Sequence, residues 1–283
     1  MKRIFLSVCT LLVAASFAVA QDVNQATDLY NEAVGFYSNG DLNSALNKFQ
    51  KAYDIAKDCG EDGESIVTDC QTNIPVLGKQ IAKGLVSEGK YSEAIAKLTE
   101  VANICKAMNN AEEAAQLLKM IPQFYMQQGN TALKTKNYAE AISAYDNILA
   151  LDPANGNAAL RKGQALNAMG DIENAIVAFE LASKNGQEKA ATRQLANLFV
   201  KKAKAASGAK DYKSCLEFAK KAASYDSTEE NAFYLAGIAA QALGQKQEAI
   251  SNFEQYLTLK PAAANSQAVR QVVEALKKEA AKN

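Results

Sequence analysis

The stretch that most constrains the fold is Asn137–Pro153, NYAEAISAYDNILALDP. Ala141 and Tyr145 are four residues apart, so a small and a large side chain fall on one stripe of a helix. The closing Asp-Pro ends that helix, because proline lacks an N–H and disfavours a helical residue before it. Sixteen residues before Tyr145, Gly129 lets an earlier helix approach closely. The stretch therefore predicts an antiparallel helical hairpin.

The same hairpin recurs along the chain. Each copy has a small residue in its first helix, and most copies have a large apolar residue in the second. The fifth copy has Ala219 at the large position, so we expect thinner packing there. The copies begin near Ala26, Pro75, Pro122, Gly156, Ala196 and Glu230.

This pattern resembles the tetratricopeptide repeat (TPR), whose unit is 34 residues, although no copy contains the family's tryptophan. The resemblance covers nearly all of the chain after residue 20. It implies an all-α fold: a right-handed α-solenoid of about six TPR-like hairpins, with longer N-terminal repeats and a C-terminal capping helix.

Three intervals between copies are longer than the repeat unit. The first two predict added helical segments, each kinked or interrupted at Pro75 or Pro122. The third predicts a fifth first helix that is lengthened from about Gln187. The expected organisation is long repeats over 21–121, TPR repeats over 122–263 and a capping helix over 264–283.

Residues 1–20 have the composition of a secretory signal peptide. Lys2 and Arg3 precede an apolar stretch, and Ala18-Val19-Ala20 is a small-residue cleavage site. We therefore expect an exported protein that begins at Gln21, in the periplasm of a Gram-negative bacterium or secreted. We expect no integral membrane span after cleavage.

The four cysteines after the signal peptide are an even number in an exported chain. Cys59 and Cys70 flank a glycine-containing segment, which leaves two alternatives, a disulfide or a pair of reduced thiols. Cys215 occupies a position where other copies have alanine, so we expect a buried small apolar side chain.

No pattern in the sequence indicates catalysis. The chain has no histidine, which excludes His-based triads and His metal sites. It also lacks the glycine-rich nucleotide-binding motifs. The sequence predicts no catalytic residue, no metal site and no cofactor. The near-neutral charge also argues against nucleic acid as a partner.

The TPR resemblance implies that first helices line a concave groove. Side chains at the corresponding positions are mostly hydrogen-bond donors that suit carboxylates or peptide carbonyls. The predicted partner-binding residues are Tyr30, Tyr37, Lys79, Lys83, Gln127, Asn130, Lys134, Arg161, Gln164, Asn167, Lys201, Lys204, Tyr234 and Gln241. Some family members hold a C-terminal carboxylate with five fixed residues, and no three consecutive copies here supply all five.

These features predict a non-catalytic exported scaffold or adaptor that binds a peptide or protein segment in its groove, in envelope assembly or transport. The alternative is a structural or oligomerising subunit that uses the inserted segments or the ends of the array. The sequence names neither the partner nor the oligomeric state.

Overall fold

The computed structural model describes residues 21–281 of the chain, and the predicted signal peptide lies outside this range. The described residues form helices and turns and contain no β-strand. A 3₁₀ turn covers Gly60–Gly63 and a π-helical segment covers Ser183–Gln187. The α-helices are α1 (21–38), α2 (Leu42–Ala56), α3 (Glu64–Ser87), α4 (Tyr91–Ala107), α5 (Ala111–Leu118), α6 (Ile121–Lys134), α7 (Tyr138–Leu151), α8 (Gly156–Met169), α9 (Ile172–Ala182), α10 (Glu188–Gly208), α11 (Tyr212–Tyr225), α12 (Glu230–Ala242), α13 (Lys246–Leu259) and α14 (Ser266–Ala280).

The chain divides into two compact units, with the boundary between Gln128 and Gly129. Unit 1 contains the hairpins α1–α2 and α3–α4, followed by the short helix α5. Helix α6 crosses the boundary, and its C-terminal part contacts α7 in unit 2. Unit 2 continues with α8–α9, α10–α11, α12–α13 and α14. The predicted all-α solenoid of helical hairpins is confirmed.

Close contact between glycine and an aromatic ring holds the hairpins of unit 2 together. A Cβ atom placed on Gly129 would lie only 2.6 Å from Cε1 of Tyr145, so no larger residue fits without a shift. Tyr145 itself is completely buried. The same arrangement recurs at Gly163 with Phe179 and at Gly237 with Phe253. The small-and-large pattern in the sequence thus sets the distance between paired helices.

The turns inside the hairpins share one local design. A residue with positive φ ends the first helix, and the next residue begins the second. Gly170 adopts φ +93°, and the Asp171 side chain then accepts a hydrogen bond from the backbone N–H of Asn174. Lys210 takes the same left-handed conformation at φ +61°, where a side chain makes it less favourable. These turns explain the Gly-Asp and Lys-Asp pairs at regular positions.

Helix α3 continues without a break through Pro75, which excludes an interruption and leaves a kink as the other predicted alternative. Proline leaves the carbonyl of the residue four positions earlier without its helical donor. That carbonyl belongs to Gln71, and it accepts a hydrogen bond of 3.3 Å from Nδ2 of Asn110. The Gln71 side chain donates in turn to the carbonyl of Met108 at 2.9 Å. At the second proline, Pro122, the helix is interrupted as predicted. Helix α5 ends at Leu118, and a new helix begins at Ile121, directly before the proline.

The fifth hairpin is well packed, contrary to the expectation from Ala219. Ala219 is buried, and aromatic rings from other positions supply the missing volume. Phe199 of α10 stacks on Tyr225 of α11, with ring centroids 5.7 Å apart and planes 10° apart. Cys215 is completely buried, as predicted. Helix α10 has 21 residues, in agreement with the predicted lengthening.

Helix α14 packs against α13 at the end of unit 2. Val269, Val273 and Leu276 are buried on its inner face and belong to the same core cluster as Phe253. The exposed side of this helix carries lysines and glutamates. The helix therefore covers the apolar side of the last hairpin, which is the role predicted for it.

Candidate peptide-binding surfaces

The predicted groove residues all lie on first helices of the hairpins, but they are divided between the two units. Lys79, Lys83 and Gln127 belong to unit 1, and the residues from Asn130 onward belong to unit 2. We therefore describe each surface separately. The unit 2 surface consists of Asn130, Lys134, Arg161, Gln164, Asn167, Lys201, Lys204, Tyr234 and Gln241.

Asn130 is fixed by the buried ring of Tyr145. The Tyr145 hydroxyl donates a hydrogen bond of 3.0 Å to Oδ1 of Asn130. Burial raises the pKa of Tyr145, and the positive charge of Arg161 opposes that shift. The phenol therefore stays neutral as a donor, and the guanidinium of Arg161 lies close enough to influence it.

Arg161 is oriented by its neighbour on the same helix. Its Nη1 donates to Oε1 of Gln164 at 3.3 Å. The side-chain oxygens of Gln164 and Asn130 thus both accept hydrogen bonds from within the protein. Their amide N–H groups and the remaining guanidinium N–H groups can donate hydrogen bonds to a ligand. These three residues form a cluster that offers mainly donors, and we call it the donor cluster.

Asn167 carries the opposite kind of group. Its Oδ1 atom is buried and has no hydrogen-bond partner among the described residues. A buried unsatisfied acceptor costs about 1–3 kcal/mol. Because this oxygen is closed off from solvent, it does not offer an acceptor to a bound chain in this structure.

Three predicted lysines of unit 2 are available for binding. Lys134, Lys201 and Lys204 are exposed and form no ion pair with any described residue. Lys202, next to them in sequence, is engaged instead: its Nζ lies 2.6 Å from Glu173 and 4.7 Å from the ring centre of Phe218. Tyr234 is only partly exposed, and the centre of its ring lies 5.1 Å from the centre of the Tyr256 ring.

The predicted lysines of unit 1 differ in their contacts. The Nζ atom of Lys79 forms a 2.7 Å ion pair with Glu113 of the inserted helix α5. Its role in partner binding stays a prediction, and a partner would have to compete with Glu113 for this ammonium group. Lys83 and Gln127 are exposed, and Lys83 has no ion pair with a described residue.

Unit 1 also exposes apolar side chains that the prediction of polar groove residues missed. Val34 is 41% exposed, Tyr37 46% and Val76 44%, and all three lie on first helices. Tyr37 was predicted as a binding residue, whereas the two valines lie outside the positions that the TPR resemblance implies. Burial and the negative charge of Asp69 on α3 raise the pKa of the Tyr30 hydroxyl on α1, so the two helices lie close together there. Val34 directly follows the buried residue Ala33, and this spacing could have indicated that Val34 is exposed.

Of the two alternatives for Cys59 and Cys70, the structure shows the pair of reduced thiols. Cys59, Cys70, Cys105 and Cys215 are all buried free thiols in the structure. Cys70 lies in the core on α3, whereas Cys59 donates a hydrogen bond to the carbonyl of Ile55 on the preceding helix. Burial raises the pKa of Cys70 to about 12 and that of Cys105 to about 11. Both thiols stay protonated near neutral pH, which makes them poor nucleophiles.

Residues 21–281 contain no group of three or more cysteine, aspartate or glutamate residues placed to hold a metal ion. Within the same range, no helix combines the length and the apolar character needed to cross a membrane.

Comparison with known proteins gives matches to repeat families. Two family models, both described as tetratricopeptide repeat, match residues 126–190 and 230–262. No curated protein matches the chain.

Solved structures with a similar fold have low sequence identity. The crystal structure of MamA protein is 20% identical and covers 58% of this chain and 88% of that chain, with a TM-score of 0.40. YrrB, described as a TPR protein with an unusual peptide-binding site, is 15% identical, with coverages of 69% and 91% and a TM-score of 0.37. MamA from Desulfovibrio magneticus RS-1 is 19% identical, with coverages of 67% and 97% and a TM-score of 0.35.

Proposed function

The chain is a tetratricopeptide repeat protein, and from this premise we propose that it is a non-catalytic exported scaffold that binds a peptide or protein segment. The unit 2 surface is the proposed site. TPR proteins generally serve as interaction scaffolds and not as enzymes.

The donor cluster is the observation that supports this site most directly. The oxygens of Asn130 and Gln164 are occupied by Tyr145 and Arg161, so the cluster offers N–H groups to an incoming ligand. Peptide carbonyls and carboxylates are acceptors, and a charged donor binds a carboxylate about twice as strongly as a neutral one. A peptide offers carbonyl groups along its chain, and acidic side chains add carboxylates.

The alternative of an oligomerising subunit that uses the inserted segments receives less support. Helix α5 is the clearest insertion, and its polar groups are largely engaged inside unit 1. Glu113 pairs with Lys79, and both ends of the Asn110 side-chain amide are hydrogen-bonded, to Gln71 and to the N-terminus of α5. We therefore place the partner on the first helices and not on this insertion.

A charge-reversed variant tests the proposed site. Arg161→Glu with Lys204→Glu should abolish capture of the native partner, because both changes place a negative charge where a carboxylate or carbonyl binds. Binding by the unchanged protein should weaken as salt rises, since part of the attraction is screened. Pull-down from the native cell envelope, with partner identification by mass spectrometry, measures both effects.

The matched control is Lys213→Glu with Lys278→Glu, which changes the net charge equally at exposed lysines of α11 and α14. Circular dichroism should show unchanged helicity and melting temperature for both double variants. If Arg161→Glu with Lys204→Glu captures the same partner in the same yield as the unchanged protein, the unit 2 surface is excluded as the site.

Export is a separate part of the proposal and rests on the composition of residues 1–20. The mature protein should begin at Gln21 in the periplasm, and its role would be envelope assembly or transport. Intact-mass measurement of protein isolated from its own cells tests this. An intact Met1 or a lipid attached to Cys9 would contradict the proposed cleavage.

A further inference from the structure

Helix α10 differs from the other first helices of unit 2 in length. It has 21 residues, compared with 14 in α8 and 13 in α12. The added turns lie at its N-terminal end and carry Lys189 and Arg193. They follow the π-helical segment, where Asn185 and Gly186 leave the helical conformation and redirect the chain.

The charge on α10 is almost entirely positive. After its first residue, Glu188, the helix contains five basic residues and no acidic residue. Four of the basic residues are exposed and form no ion pair with a described residue. With Asn197 between Arg193 and Lys201, these residues recur every three or four positions along the helix. We call the four basic residues the α10 ladder: Lys189, Arg193, Lys201 and Lys204.

The acidic groups nearest to the ladder lie at its N-terminal end, where Asp226, Glu229 and Glu230 line one cavity with Lys189 and Arg193. The Glu229 side chain accepts hydrogen bonds from Asn231. Helix α8 contains no acidic residue, and the Glu230 side chain of α12 lies 3.3 Å from Lys260. Asp226 faces Arg193 from the loop after α11, and two hydrogen bonds from Thr228 together with Arg193 hold the pKa of its carboxyl low. Glu173 contacts Lys202, which is not part of the ladder. None of the four ladder cations therefore forms an ion pair with these carboxylates, and each carboxylate beside Lys189 and Arg193 already has another partner.

We propose that the α10 ladder binds an acidic, extended segment of a partner protein. This inference rests on the proposed function, and it specifies the chemistry of the partner on the unit 2 surface. Lys189 and Lys204 are separated by about 22 Å along the helix axis, at 1.5 Å per residue. An extended chain covers this distance with about seven residues, at roughly 3.3 Å each. The partner segment thus carries several carboxylates within a stretch of about that length.

Nucleic acid fits the ladder less well than an acidic peptide does. Binding to single strands uses exposed aromatic rings on which bases stack. The aromatic rings of this hairpin are already packed together: Phe199 contacts both Phe218 and Tyr225.

Fluorescently labelled glutamate peptides of about seven and about three residues, with blocked ends, test the proposal. The longer peptide should bind the unchanged protein more tightly than the shorter one, and a glutamine peptide of the same length should not bind. Lys189→Glu with Arg193→Glu should weaken binding of the longer peptide at least about fivefold at low salt, and affect the shorter peptide less. The control Lys213→Glu with Lys278→Glu should stay within about twofold of the unchanged protein.

The outcomes separate this inference from the proposed function. If Arg161→Glu with Lys204→Glu weakens binding of the longer peptide but Lys189→Glu with Arg193→Glu does not, the added turns are not part of the site. In that case the inference fails and the proposed function stands. If neither variant changes peptide binding and neither changes partner capture, both fail. If a short oligothymidylate binds as tightly as the peptide and is weakened equally, the ladder is a polyanion site and the proposal is overturned.

Discussion

Units 1 and 2 are built from the same helical hairpin, but their first helices carry opposite charge. Helices α1 and α3 of unit 1 together contain five acidic and two basic residues. The first helices of unit 2, from Gly129 onward, contain eight basic and two acidic residues. Because these charged side chains lie off the packed face, core packing does not fix their sign. The binding chemistry of a repeat protein therefore has to be read unit by unit.

The cores of the two units also differ at equivalent positions. In unit 2 three aromatic rings rest on glycine, whereas unit 1 has alanine at both positions, Ala33 with Phe49 and Ala82 with Leu98. Glycine has no side chain to move into a space left by a truncated ring. The hairpins of unit 2 should therefore tolerate loss of the large residue less well than those of unit 1.

The largest expected effect is from truncating these rings. Tyr145→Ala, Phe179→Ala and Phe253→Ala should each lower the free energy of unfolding by about 3–5 kcal/mol, since each leaves a cavity beside glycine. Leu98→Ala in unit 1 should cost about 2–3 kcal/mol, at the low end for a buried leucine. Urea melts of the chain from Gln21 onward measure the differences. Losses below about 1 kcal/mol at all three rings would mean that the repeat register is wrong.

A smaller effect is expected from adding a methyl group to a glycine in each unit. Gly163→Ala in unit 2 should cost about 1–3 kcal/mol, because its Cβ would lie 2.7 Å from the Phe179 ring. Gly84→Ala in unit 1 should stabilise the protein by up to about 1 kcal/mol, since no atom lies within 4 Å and alanine favours a helix. Thermal melts of both variants measure the opposite signs. A stabilised Gly163→Ala variant would show that the ring does not rest on this glycine.

The hairpin architecture was predictable because its signals are local in sequence. Helical spacing, the glycine-to-ring interval of sixteen residues and the Gly-Asp turns each act within one hairpin. The lengthened α10 was likewise evident from the interval between repeats. The sequence left the state of Cys59 and Cys70 open because the position of Cys70 in the core depends on neighbouring helices. The expected thinner packing of the fifth hairpin was wrong because Phe199 and Tyr225 fill that space from other positions.

The sequence by itself determined the hairpins, their order and the residue types on the first helices. Only the tertiary structure decided which of those side chains are available to a partner. Lys79 pairs with Glu113, 34 residues later, and the Asn130 oxygen accepts from Tyr145. Helix α3 passes through Pro75 because Asn110, from the start of α5, supplies the missing donor. Each of these outcomes depends on a contact between separate helices, and a pattern within one helix carries no information about it.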